Sequence, residues 1–140
     1  MTKGPTRPEI DAQKVCRIIV KMRQFDAKEG EVEEDYGANA SDEGFREVLA
    51  GFADDPVYDE LKTFIDDMDV DEQCDLVALM WLGRGDFAAK DWAQALSLAR
   101  QERTRRTSEY LLGTPLLADY LSEGLSQFDL SCEGFEKDHL

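Results

Sequence analysis

At 140 residues the chain is long enough for one domain with a single buried core, and its hydrophobic share of 42% is ordinary for a globular protein. A formal net charge of −15 excludes general affinity for duplex nucleic acid, whose phosphates such a molecule repels. No apolar run approaches the roughly 20 residues that a bilayer-spanning helix needs, and the opening MTKGPTRPEI has no apolar signal core, so the expectation is a cytoplasmic protein with no membrane partner.

In chain order, residues 1–9 are expected to be disordered. Ile10 and Val15 flank Asp11 as a hydrophobic staple flanks an N-cap, and a helix follows to about Ala27. Its apolar stripe is Val15, Ile18, Ile19, Met22 and Phe25. Residues 28–40 read as an acidic loop, punctuated by Gly30 and Gly37 and carrying Glu31, Glu33, Glu34 and Asp35. Ser41 caps a short second helix with Phe45, Val48, Leu49 and Phe52 on one face. Asp55-Pro56 starts a third, with proline at the first helical position, where its missing N–H is harmless. Val57, Tyr58, Leu61, Phe64, Ile65 and Met68 form its stripe.

The fourth helix, residues 70–82, is the centre of the expected bundle. Asp69 and Glu72 have capping-box spacing. Asp71 and Asp75 add negative charge near the positive end of the helix dipole. Leu76 to Leu82 then run apolar without a break, so they point in every direction, as in a helix buried on all sides. Gly83 reads as the left-handed residue that ends it. Asp86 or Asp91 opens a long fifth helix on which Trp92, Leu96, Ala99, Arg103, Arg106 and Tyr110 recur at 4-3-4-3-4 spacing and share a face. Thr114 caps a sixth helix with Pro115 at its first position and Leu116, Leu117, Tyr120, Leu121 and Leu125 as its stripe. Residues 127–140 form an acidic tail in which Phe128, Leu130 and Phe135 have the means to dock. There is no β-alternation and no internal repeat. The fold class expected is all-α: a single-domain bundle of about six helices over residues 10–126.

Little in the chain points to catalysis or metal binding. The sole histidine, His139, lies next to the last residue. Asp67, Asp69 and Asp71 imitate the opening of a calcium loop, but Glu72 and Ala78 stand where its glycine and its closing glutamate belong. No metal and no cofactor is expected. Nucleophilic catalysis needs a base beside the nucleophile, and no internal histidine serves Cys16, Cys74 or any serine. The three cysteines, Cys16, Cys74 and Cys132, are odd in number and form no CxxC pair; Cys16 and Cys74 lie in helical apolar patterns, where a free cysteine behaves as a small hydrophobe, which suits a reducing compartment.

Charge carries the remaining functional signal. Residues 29–75 hold eighteen acidic and two basic side chains, whereas residues 1–28 hold seven basic and three acidic. One reading is internal matching between basic and acidic helices; the other is an acidic face for a basic protein partner. Arg103 and Arg106 lie on the apolar stripe of the fifth helix, with heads that either pair with acids of the second and third helices or build an anion pocket near Trp92 and Tyr110. Arg84, in the Gly83–Asp86 turn, either caps the carbonyl end of the fourth helix or projects beside Trp92 toward a ligand. Candidate ligand-binding residues are therefore Arg84, Trp92, Arg103, Arg106 and Tyr110.

DEQCDLVALMWLGRGDF (Asp71–Phe87), Trp92, the arginine-rich helix and YLLGTPLLADYLSEGL (Tyr110–Leu125) resemble a small bacterial family known only as a domain of unknown function, over about residues 56–126. The resemblance implies a cytoplasmic bacterial protein and no assigned activity, ligand or catalytic residue. The functional expectation is a non-enzymatic interaction module with an acidic face. Its alternative is a small-molecule or anion-binding protein, with or without enzymatic activity, that uses the arginine stripe.

Overall fold

Asp69 stands where the computed structural model turns from one helix into its most buried one. Its carboxylate accepts the Glu72 N–H at 2.8 Å while the Glu72 side chain accepts the Asp69 N–H at 3.3 Å, so the capping box is complete. The structure describes residues 6–36 and 56–133, with backbone alone for 26–36. Among them are six α-helices and no strand: α1 (Ala12–Tyr36), α2 (Pro56–Asp66), α3 (Val70–Arg84), α4 (Trp92–Glu102), α5 (Thr107–Leu112) and α6 (Leu117–Ser126), with a 3₁₀ turn at Ala89–Asp91 before α4. The all-α class is as expected. The helix expected after Ser41 lies outside the described residues, as do residues 37–40 of the acidic loop. Residues 28–36 are helical rather than loop, because α1 runs on to Tyr36 instead of ending near Ala27.

Every residue of α3 from Gln73 to Leu82 is buried. A helix apolar on all sides needs partners on all sides, and α3 has them in α4, α5 and, most extensively, α6, which also packs on α1. The expected stripe of α1 is buried in full, Val15 and Ile19 completely. On α2, Leu61 and Ile65 are buried, as is Met68 just past its end, with Val57, Tyr58 and Phe64 packed at the margin of the same core.

Gly83 does not end α3. The helix continues to Arg84 and ends in a Schellman motif: Gly85 takes φ +95°, its N–H reaches Leu82 O at 3.1 Å, and the Asp86 N–H reaches Trp81 O at 2.9 Å. Gly83 has a different task. A Cβ there would lie 1.7 Å from the Tyr120 carbonyl oxygen, and one on Gly124 would lie 2.4 Å from that of Leu79. The two glycines bring the backbones of α3 and α6 into contact. This is a tertiary requirement, which local periodicity does not register.

Both ends of the described residues are tied to the core. Of residues 1–9, expected to be disordered, 1–5 lie outside the described residues, and the segment from 6 on is gathered by Asp75. Its carboxylate is only 3% exposed as a residue and accepts the N–H of Glu9 at 3.0 Å and of Ile10 at 2.9 Å through Oδ2. Asp75 is thus an inward tether rather than a surface charge serving the dipole. At the other end, Phe128 meets Trp92 edge to face at 5.4 Å, Leu130 packs on the core, and Cys132 forms a disulfide with Cys16. Cys16 is therefore not the free thiol expected, whereas Cys74 is, and the argument for a reducing compartment loses its support. The pairing joins residues 116 apart in sequence, and only Cys74 is free. Phe135 lies outside the described residues.

Gly83→Ala should cost about 3 kcal/mol or more, because its Cβ meets backbone that cannot rotate away. Gly85→Ala meets nothing within 4 Å and should cost only about 1–2 kcal/mol for its left-handed backbone. Denaturant melts that rank the two equally would refute the close-approach account. Burial lifts the Asp75 carboxyl to about 6, despite the opposing backbone hydrogen bonds of Ile10 and Glu9. The native state therefore keeps a proton that the unfolded chain, titrating near 4, has released. The sign follows: Asp75 favours folding most at low pH, and that contribution falls as pH rises from about 4 through 6. Asp75→Asn should remove a pH-dependent stability difference on the order of 2 kcal/mol across this window. Parallel stability–pH curves for the variant and the parent would exclude it.

Candidate functional site

The long fifth helix of the sequence reading is two helices with a corner between them. Thr104 supplies the break: its hydroxyl accepts the Arg106 N–H at 3.1 Å, and its carbonyl accepts the Thr107 hydroxyl at 3.0 Å. These local side-chain bonds compete with the helical ladder. Arg103 is already extended, with φ −59° and ψ 133°. Arg103 and Arg106 therefore sit in a corner rather than on one continuous stripe. Neither Asp86 nor Asp91 makes the expected cap. Asp86 is engaged by Arg84, and Asp91 precedes α4 without a side-chain bond. The next corner differs likewise. Thr114 donates to Tyr110 O at 2.8 Å, closing α5, and α6 begins at Leu117 after an exposed Leu116 with φ +63°.

The first corner overhangs α3, and between them lies a cleft of about 480 Å³. This falls in the range of small-molecule sites, about 300–1,000 Å³. Val77, Trp81 and Ala99 contribute apolar wall; Arg103, Arg106, Glu102 and Glu109 carry the charges at its edge. Cys74 also lines it. Burial pushes its thiol up, against the opposing pull of Arg100 and Arg103, so it stays protonated and a poor nucleophile at neutral pH.

Arg103 is aimed by a buried glutamine. Gln73 Nε2 donates to Ile65 O at 2.9 Å and Met68 O at 3.4 Å, at the carbonyl end of α2. This leaves its Oε1 to accept Arg103 Nε at 3.3 Å and Nη2 at 3.0 Å. The guanidinium is held without having its charge cancelled. Among the described residues neither Arg103 nor Arg106 forms an ion pair, so their heads do not pair with acids of the expected third helix; those of the expected second lie outside the described residues. Arg100, by contrast, pairs with Asp71 at 3.2 Å.

Tyr110, 45% exposed, closes one end of the cleft. Its oxygen accepts the Trp81 Nε1–H at 3.1 Å, so its own O–H proton remains to be donated. Below it α5 is fastened to α2 by the Ser108 hydroxyl, which donates to Asp66 Oδ1 at 2.6 Å. Burial alone would raise the Asp66 carboxyl, but bonds from Lys62 and Ser108 outweigh it and hold it below its ordinary value.

Of the five candidate residues, the structure brings Arg103, Arg106 and Tyr110 together. Trp92 does not belong with them: it is 1% exposed, edge to face with Phe128, and its Nε1 has no hydrogen-bond partner among the described residues. Arg84 lies beside the cleft and outside its lining. It is not a carbonyl cap, because Gly85, Asp86 and the Gln127 side chain already supply the end of α3. Instead Arg84 donates through Nε and Nη2 to Asp86 Oδ2 at 2.8 and 2.6 Å. That bond is the main reason its basicity rises; the Tyr110 oxygen contributes less. Gln73, Val77, Trp81, Glu102 and Glu109 are lining residues that sequence reasoning did not nominate. Among the described residues, no group of three or more His, Cys, Asp or Glu is arranged to hold a metal. None of their helices is long and apolar enough to cross a membrane.

Residues 58–130 match the family model of proteins of unknown function designated DUF3775, a span that includes α3, the cleft and both stretches that carry the resemblance. The chain belongs to the DUF3775 family. No curated protein and no solved structure matches it. The cleft is a feature of the DUF3775 portion of the chain, with every lining residue between Gln73 and Tyr110.

Trp81→Ala should cost about 3–5 kcal/mol as a large-to-small change in the buried helix. Arg84→Ala should cost less than about 1 kcal/mol, because its pair with Asp86 is exposed. Paired thermal melts check this, and a loss for Arg84→Ala as large as that for Trp81→Ala would contradict the assignment.

Proposed function

We propose that this DUF3775 protein binds a small organic acid in the α3–α4–α5 cleft, with Arg103 as the principal anchor and Arg106 and Tyr110 completing the polar side. The observation that carries the reading is Arg103 itself: a guanidinium fixed by the neutral Gln73 oxygen, at the edge of an apolar cleft, with no carboxylate partner among the described residues. A charge already neutralised has little to offer a ligand. A charge merely positioned retains both its field and its remaining donors. The reading is non-enzymatic. Cys74, the thiol in the cleft, is held protonated, and no base is hydrogen-bonded to it among the described residues.

The rival reading, an acidic face for a basic protein partner, draws on the acid surplus of residues 29–75. Part of that surplus is matched internally. Glu72 takes Lys14, Glu60 takes Arg17 and Lys21, and Asp71 takes Arg100. The geometry thus favours the cleft.

Titration with small carboxylates should quench Trp81 emission saturably and raise the melting temperature. A ligand present at about 100 times its Kd adds about 2.7 kcal/mol to the native state. Arg103→Lys, which keeps the charge but loses the fork on Gln73, should weaken binding about tenfold or more. If carboxylates move neither signal while a basic peptide binds, the cleft reading falls and the acidic-face reading takes its place.

A further inference from the structure

The charged edge of the cleft is not uniformly positive. Glu102 precedes Arg103 in sequence, and Glu109 follows Arg106 by three residues, so each arginine has an acid as a chain neighbour. All four side chains line the cleft, and neither arginine is ion-paired among the described residues. Their formal charges cancel. A dense anion such as phosphate gains two guanidinium groups but is repelled by two carboxylates. A simple cation meets the reverse. A ligand carrying one charge of each sign satisfies both kinds of group, and electrostatic complementarity of this kind rejects singly charged competitors.

Resting on the organic-acid reading of this cleft, we infer that its ligand is a zwitterion with an apolar body, of which a free α-amino acid with a large apolar side chain is the simplest form. Its carboxylate meets the Arg103 guanidinium and the Tyr110 hydroxyl, whose proton is free because the oxygen already accepts from Trp81. Its ammonium meets Glu102 or Glu109. Its side chain lies on the wall formed by Val77, Trp81 and Ala99. The division of labour is that of ordinary small-molecule sites, in which apolar surface supplies burial and a few placed polar groups fix orientation.

The test uses the full chain and three probes of one shape: L-phenylalanine, 3-phenylpropionate without the ammonium, and phenethylamine without the carboxylate. Calorimetric titration should show L-phenylalanine binding at least tenfold more tightly than either half. Glu109→Gln together with Glu102→Gln, both exposed positions, should erase the advantage of L-phenylalanine over 3-phenylpropionate while leaving the melting temperature unchanged. Arg103→Lys should weaken L-phenylalanine and 3-phenylpropionate but not phenethylamine. Equal affinity for 3-phenylpropionate and L-phenylalanine in the parent protein would overturn the zwitterion and leave the organic-acid reading standing. Absence of binding by every carboxylate-bearing probe would overturn both.

Discussion

The backbone contact between α3 and α6 is the constraint on which the other placements depend. At Gly83 and Gly124 the helices approach until a single Cβ would collide with a carbonyl oxygen of the partner. Close approach converts two amphipathic or apolar helices into one rigid pair, because dispersion and burial both grow as gaps close. It also sets the height of everything stacked on α3. Gln127, at the end of α6, reaches Leu82 O only because the two helices lie this near. Phe128 and Leu130 follow it onto the core, and Cys132 then meets Cys16 on α1.

With one flank of α3 taken by α6, its other flank receives α4 and α5, and here the packing is relieved by a cleft. Gln73 is the hinge point between core and cleft. Its amide donates to Ile65 O, which also accepts the Met68 N–H, and to Met68 O just past α2, and its oxygen steers Arg103. One buried amide therefore links the end of α2, the orientation of α3 and the placement of Arg103 at the cleft. The same economy holds at Tyr110, where the bond that satisfies the Trp81 indole also fixes a hydroxyl at the cleft.

What the sequence makes legible here is what is local. The Asp69–Glu72 box, the apolar run of α3 and the buried stripe of α1 are each decided by residues within a turn or two, and each is as read. The arginine corner was hidden because 4-3-4 spacing is blind to a hydroxyl such as that of Thr104, which diverts the Arg106 N–H. The Cys16–Cys132 pair was hidden by distance along the chain, and Asp75 by having backbone N–H groups of Glu9 and Ile10 as its partners. Gly83 looked like a helix end because a glycine that permits left-handed backbone and one that permits contact are the same letter. For the cleft, Arg103, Arg106 and Tyr110 were legible as neighbours by periodicity, although not for the right reason. Trp92 shared that periodicity and went to the core instead, since an indole with apolar neighbours is stabilised more by burial beside Phe128 than by a place at a polar edge.

A strongly acidic chain has every opportunity to neutralise its arginines, so the ones it leaves unneutralised are informative. Arg17, Arg84 and Arg100 all have carboxylate partners. These pairs are exposed, contribute little to stability and need no precise geometry to form. Arg103 differs in the acceptor it meets, a neutral amide that is itself buried and fully engaged. A neutral acceptor returns less Coulomb energy than a carboxylate would, which makes this arrangement a poor choice for stability alone. It is a good choice for holding a charge ready, because the side chain is ordered before any ligand arrives and the ordering entropy is not lost again on binding. The fold thus commits a buried hydrogen-bonding group to orientation where an apolar wall, a free phenolic proton and both signs of charge converge.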